Sequence, residues 1–272
     1  MESLLTFDYF TRALIEVVLA GALAGLVGVL VVIRQRAFFT MALTHATFPG
    51  AVIAALLGIA VPIGAALAAV VLIGVMMLVG RNRTQGSAVA SGIVLTFGFA
   101  LGTFVQSIVV VPIDVESFLI GSVLSVNNGH LALTASMLVL VAVVLIVFGR
   151  QLVFSSFDAS GFRAFGLRLG MSEALTLLLI AATVVCIMPV VGAILGVALI
   201  VAPAAAARLL TGNVRGMFVI APLLGICSGV AGLLLSRTLG TSAGGTIVLV
   251  ATAIFLLATV IRRGHRLGLK AS

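Results

Sequence analysis

The chain has 272 residues, of which 62% are hydrophobic and only 8% charged, with a mean hydropathy of +1.40. Apolar runs of about 18 or more residues recur along its length, which excludes an ordinary water-soluble domain. The net charge of +8 comes from arginines that punctuate those runs without forming a patch, so it reads as membrane topology and not as nucleic-acid binding.

Nine hydrophobic segments follow in order, near 13–33, 37–59, 61–80, 87–110, 131–149, 172–189, 190–210, 215–236 and 243–261. The expected fold is therefore an all-α polytopic membrane protein. The sixth and seventh segments are nearly continuous through Pro189 and Gly192, so the count is eight or nine transmembrane helices. The segments lack the alternation of a barrel strand. Abundant Gly and Ala fit close helix packing in lipid. Cys186 and Cys227 both fall within spans and read as small buried apolar residues.

The loops set an orientation. Arg34/Arg36, Arg81/Arg83, Arg150/Arg163/Arg168, Arg208/Arg215 and the tail Arg262/Arg263/Arg266/Lys270 mark one side, and Asp114, Glu116 and the N-terminal Glu2 and Asp8 the other. Nine alternating spans then place the N-terminus outside and the C-terminus in the cytoplasm, with Arg12 and Arg237 as minor exceptions. The chain reads as one domain, 1–272, with its longest polar loop at about 150–171 on the cytoplasmic side.

In the second segment, Ala37–Gly50 reads AFFTMALTHATFPG. It puts His45 about 12 Å in from Ala37, where an ionisable ring is a functional candidate by default. Met41 lies four residues earlier, on the same helix face. Pro49 has no N–H, so the carbonyl of His45 is expected to lose its helical partner. Two readings of the pair stay open. One is a metal or proton site on a permeation path; the other is a histidine hydrogen-bonded to a neighbouring helix, with Met41 as packing.

The 150–171 loop contains Phe157-Asp158, then Phe162-Arg163-Ala164-Phe165-Gly166. Asp158 is placed to cap a short helix, and Phe162 and Phe165, three apart, would share one apolar face. Such a helix either docks a partner or packs on the chain itself. Pro203 sits in the Gly/Ala-rich run that begins at Val191-Gly192, a pattern of close packing with a tolerated kink. Asn127-Asn128-Gly129-His130 reads as a turn, with His130 in a loop. Glu16 and Glu173 lie near span ends and are expected at the interface.

The chain has no GxxxxGK[ST] phosphate loop, no HExxH and no CxxC pair, so ATP binding by that route and the corresponding enzyme chemistries have no residues to carry them. Almost no carboxylate falls in mid-span, and no repeat is evident. A secondary transporter working alone would want acidic residues within the spans and often inverted repeats.

Four motifs in order resemble the membrane permease subunit of metal-ion ABC importers, the zinc/manganese/iron family. They are Met41-Ala42-Leu43-Thr44-His45 with Pro49-Gly50; Gly121-Ser122-Val123-Leu124; Phe157-Asp158 with Ala164-Phe165-Gly166-Leu167; and Val191-Gly192 with Pro203-Ala204-Ala205. The resemblance implies an ATP-driven importer of manganese or zinc, less so iron, in the bacterial cytoplasmic membrane. No cofactor would be bound permanently. Its partners would be a second permease copy, a cytoplasmic ATP-binding subunit that hydrolyses the ATP, an extracellular metal-binding protein and membrane lipid, and not nucleic acid. It also implies that His45, with Met41 and Thr44 near it, contributes to the metal path. Phe157, Asp158, Phe162, Arg163, Ala164 and Gly166 would meet the ATPase, while Pro49, Gly50, Gly192 and Pro203 break or pack helices. Met41 stands where the family has an aspartate. The alternatives are a permease for metal chelates of the siderophore or cobalamin type, and a stand-alone secondary metal transporter.

Overall fold

The computed structural model describes residues 9–79, 87–108, 121, 123 and 126–271. The sequence readings at Glu2, Asp8, Arg81, Arg83, Asp114, Glu116, Ser122 and Leu124, and those on the side chains of Arg266 and Lys270, fall outside what is described.

The helices are α1 (Tyr9–Ile33), α2 (Ala37–Ala46), α3 (Phe48–Leu56), α4 (Val61–Val79), α5 (Ser87–Ile108) and α6 (Asn128–Phe157), then α7 (Ala159–Ala164), α8 (Leu169–Val191), α9 (Ala193–Leu210), α10 (Val214–Leu239) and α11 (Ala243–Ala271). Among the described residues, eight stretches are long and apolar enough to cross a membrane, with Leu195–Leu210 as a shorter apolar helix. One of the eight is Ala37–Leu56, which joins α2 and α3 across Thr47.

α1 is the central helix. It is apolar and buried on nearly every side, as expected of a helix surrounded by others. It packs on α10, α9 and α6, and α11 closes on α9 and α10. Gly21, Gly25 and Gly28 make that closeness possible. A Cβ on Gly28 would lie 2.1 Å from the Ile200 carbonyl oxygen on α9, and one on Gly25 2.5 Å from the Pro222 Cα on α10. The α3–α4 crossing is similar, since a Cβ on Gly50 would lie 2.2 Å from the Gly64 carbonyl oxygen. Such contacts replace the hydrophobic drive that lipid cannot supply.

The break between the sixth and seventh segments falls at Gly192, not Pro189. Pro189 stays inside α8, and Pro203 lies buried inside α9. Gly192 has φ +88, a conformation that side chains resist, and lets the chain turn from α8 into α9. The fifth segment is longer than hydropathy suggests: α6 runs to Phe157, so the first part of the expected 150–171 loop is helix. His130 is likewise in α6, where Asn127 caps its N–H (2.9 Å).

Glu16 departs from expectation. It does not reach the interface but is fully buried, where the Thr134 hydroxyl donates to its carboxylate (2.6 Å). The cause is the face it occupies, since α1 turns that face to α6. Cys227 is exposed on the outside of the bundle, while Cys186 is buried as expected.

Candidate functional site

α2 carries Phe39, Thr40, Ala42, Leu43 and Thr44 on its buried faces. That leaves Ala37, Phe38, Met41 and His45, spaced by one, three and four residues, along the remaining stripe. This stripe lines a cavity of about 700 Å³, whose other walls are Val197, Ala198, Val201, Ala202 and Ala205 of α9 with Thr252 and Phe255 of α11. Met41 is 43% exposed and His45 half-buried. The pair read from the sequence thus faces one space.

The imidazole of His45 meets the edge of Phe99 on α5, with ring centroids 5.9 Å apart. Among the described residues its ring has no hydrogen-bond partner, so its nitrogens are available to the cavity. Thr44 takes a different part. It is buried, off the cavity wall, and its hydroxyl donates to the Met41 carbonyl (2.7 Å). The carbonyl of His45 is not left free: α2 stops at Ala46, and a backbone N–H at the Thr47 cap meets it. Pro49 instead sits in the first turn of α3, where its missing N–H costs nothing. The described donors facing the cavity are the imidazole of His45 and the thioether of Met41, with the Thr252 hydroxyl opposite, and the first two suit a transition-metal ion.

A second polar centre lies at one end of the bundle. Gln35, with φ +53, turns the chain from α1 into α2 and leaves Arg34 and Arg36 on either side. Arg34 donates to the Leu152 carbonyl (3.0 Å), Ser155 Oγ (2.7 Å) and Ser172 Oγ (2.8 Å). Arg36 pairs with Glu173 of α8. Arg208 donates to the Val32 carbonyl at the same end (3.3 Å). Arginines from two separate connections, α1–α2 and α9–α10, therefore meet at one end. Sequence reading took Arg34 and Arg36 only as marks of topology; two arginines opening a span carry no signal of their distant partners. Replacing Arg34 with Ala removes three charge-assisted hydrogen bonds and is expected to cost about 2 kcal/mol or more. A lowered melting temperature of the solubilised protein checks this, and an unchanged one refutes it.

α7 lies at this end too. The Asp158 carboxylate accepts from the Gly161 N–H (2.8 Å) and the Ser160 hydroxyl (2.7 Å). These two donors hold its carboxyl below the usual carboxylate range. The helix closes with Gly166 at φ +74, its N–H bonded to Arg163 and that of Leu167 to Phe162, the glycine-stop pattern of helix C-termini. The two phenylalanines divide. Phe162 is buried against Phe154, while Phe165, also touching Phe154, is 76% exposed, and Phe157 is 68% exposed. Arg163 and Ala164 are exposed.

Comparisons with known proteins agree with this architecture. The chain is 33% identical over 258 residues to the manganese transport system membrane protein MntC of Halalkalibacterium halodurans, covering 94% of this chain and 88% of that one. It is 36% identical over 254 residues to the zinc transport system membrane protein TroC of Treponema pallidum, covering 89% and 85%. Among solved structures, PsaBC from Streptococcus pneumoniae in complex with Fab superposes with a TM-score of 0.84 at 28% identity, over 94% of this chain and 93% of that one. An inward-facing metal-chelate type ABC transporter shares the fold, with a TM-score of 0.72 at 16% identity over 95% and 91%. The model of the ABC 3 transport family matches residues 6–262, and the chain is a multi-pass membrane protein that belongs to that family.

Proposed function

We infer that the chain is the permease subunit of an ATP-driven importer that moves divalent transition-metal ions, manganese or zinc ahead of iron, into the cell. The observation that carries this reading is the shared cavity wall of Met41 and His45 in a chain of the ABC 3 transport family. ATP is bound and hydrolysed by a separate cytoplasmic subunit, which meets the 150–171 region. A capped helix flanked by exposed Phe157 and Phe165 supports that contact, because exposed aromatics beside a rigid helix suit a protein partner. Phe157, Asp158, Arg163, Ala164 and Gly166 would form it, with Phe162 as its buried anchor.

The arginine-rich end is the cytoplasmic one by the positive-inside bias. α11 starts at the opposite end and runs back, which carries the C-terminus to the cytoplasm of a bacterial cell and leaves Tyr9 outside. The cavity between α2, α9 and α11 has an open side, which a second permease copy would close. An extracellular metal-binding protein would deliver the ion at the other end, and the whole chain acts as one permease domain.

The test is metal uptake into liposomes. With the ATPase subunit and the delivery protein present, uptake is expected to require ATP, and the permease alone to move nothing. Uptake by the lone chain would replace this reading with that of a secondary transporter.

A further inference from the structure

The donors on the cavity wall are few. Of the described residues lining it, only His45, Met41 and Thr252 carry a nitrogen, sulfur or oxygen in the side chain; the rest are Ala, Val and Phe. None bears a carboxylate. Among the described residues, no group of three His, Cys, Asp or Glu side chains is placed to hold a metal. Met41 is also not consumed by packing. Its chain neighbours Thr40 and Ala42 are buried, whereas Met41 keeps 43% of its surface open on the same face as His45.

That donor set discriminates between ions. Mn²⁺ stands at the weak end of the divalent series and suits carboxylate, carbonyl and water oxygens. Imidazole suits Zn, Cu, Fe and Ni ions, and thioether sulfur suits softer ions such as Zn²⁺ and Cu⁺. We propose that Met41 is a specificity-determining residue, and that this permease passes borderline-to-soft ions, Zn²⁺ ahead of Mn²⁺. The proposal rests on the reading of His45 as part of the metal path. It departs from the manganese named for several relatives, including the one from Halalkalibacterium halodurans.

The experiment is competitive uptake of Zn²⁺ and Mn²⁺, at equal concentration, by the assembled importer in liposomes. Wild type, Met41→Asp, Met41→Glu, Met41→Leu and His45→Ala are compared with one and the same delivery protein. Because the delivery step is common to all, a change in the Zn:Mn ratio reports the permease alone. Met41→Asp is expected to lower that ratio about tenfold or more, by raising Mn²⁺ uptake. Met41→Glu should act in the same direction and serves if the Asp variant does not assemble. Met41→Leu should slow Zn²⁺ without a gain in Mn²⁺. An unchanged ratio in both acidic variants overturns the proposal, as does a wild type that prefers Mn²⁺ no less than its Met41→Asp variant does. His45→Ala separates the two claims: undiminished uptake of both ions in that variant removes the metal-path reading itself.

Discussion

His45→Ala lowers ATP-driven metal uptake roughly tenfold or more while the chain still folds and inserts. The two halves of this expectation rest on different observations. The ring lines the cavity beside Met41, meets the edge of Phe99 and is only half-buried. Removing it therefore deletes the only nitrogen donor among the described lining residues, while the side chain lost is only half-buried. The turn around it is held independently, by the Thr44 hydroxyl on the Met41 carbonyl and by the Thr47 cap. A loss of about 1 kcal/mol in stability is the most the packing accounts for. Uptake and melting temperature, measured on the same preparations, separate the two effects. Normal uptake by a well-folded variant would take His45 out of the mechanism.

Gly28→Leu has the opposite signature, since it should destroy the folded protein and leave nothing to assay. A Cβ there would meet the Ile200 carbonyl oxygen at 2.1 Å, with Ala204 Cβ at 3.0 Å. The first obstacle is backbone, which cannot swing aside as a side chain does. α1 would have to leave α9, yet Gly21 and Gly25 hold it equally close to α10. Relief at one crossing strains another, so a cost of about 3 kcal/mol or more is expected. Gly170→Ala is the control, because a Cβ there meets nothing within 4 Å. The fraction surviving size-exclusion chromatography is the measurement. A Gly28→Leu chain as abundant and monodisperse as the control would show that the α1–α9 contact is not what holds the bundle.

The spans were legible because hydrocarbon thickness forces runs of about 20 apolar residues, whatever packs against them. The ends were less so. Arg150 did not stop α6, which continues to Phe157, since a long cationic side chain can reach water from within a helix. The α8–α9 break was narrowed to Pro189 and Gly192, but only the backbone shows that the glycine takes it. The Met41–His45 face followed from spacing of four. The opposing wall did not, because Val197, Ala198, Val201, Ala202 and Ala205 look like ordinary packing residues in sequence. Glu16 was misplaced for a related reason: position in a span gives depth, while the face depends on Thr134, far away in the chain. The division of Phe162 from Phe165 likewise depends on Phe154 of another helix.

The ion pair between Arg36 and Glu173 has a mechanical meaning. Arg36 stands at the foot of α2, and Glu173 near the start of α8, just beyond α7. Arg34, across the Gln35 turn at the end of α1, binds the end of α6, just before α7. The short helix is thus bracketed by two anchor points on the α1–α2 turn. From that turn to His45 is nine residues of rigid helix, about 14 Å. On the proposed function, a push by the ATPase subunit on α7 that shifts its flanks would have a direct load path to the imidazole, turning a stroke at α7 into displacement at the cavity wall.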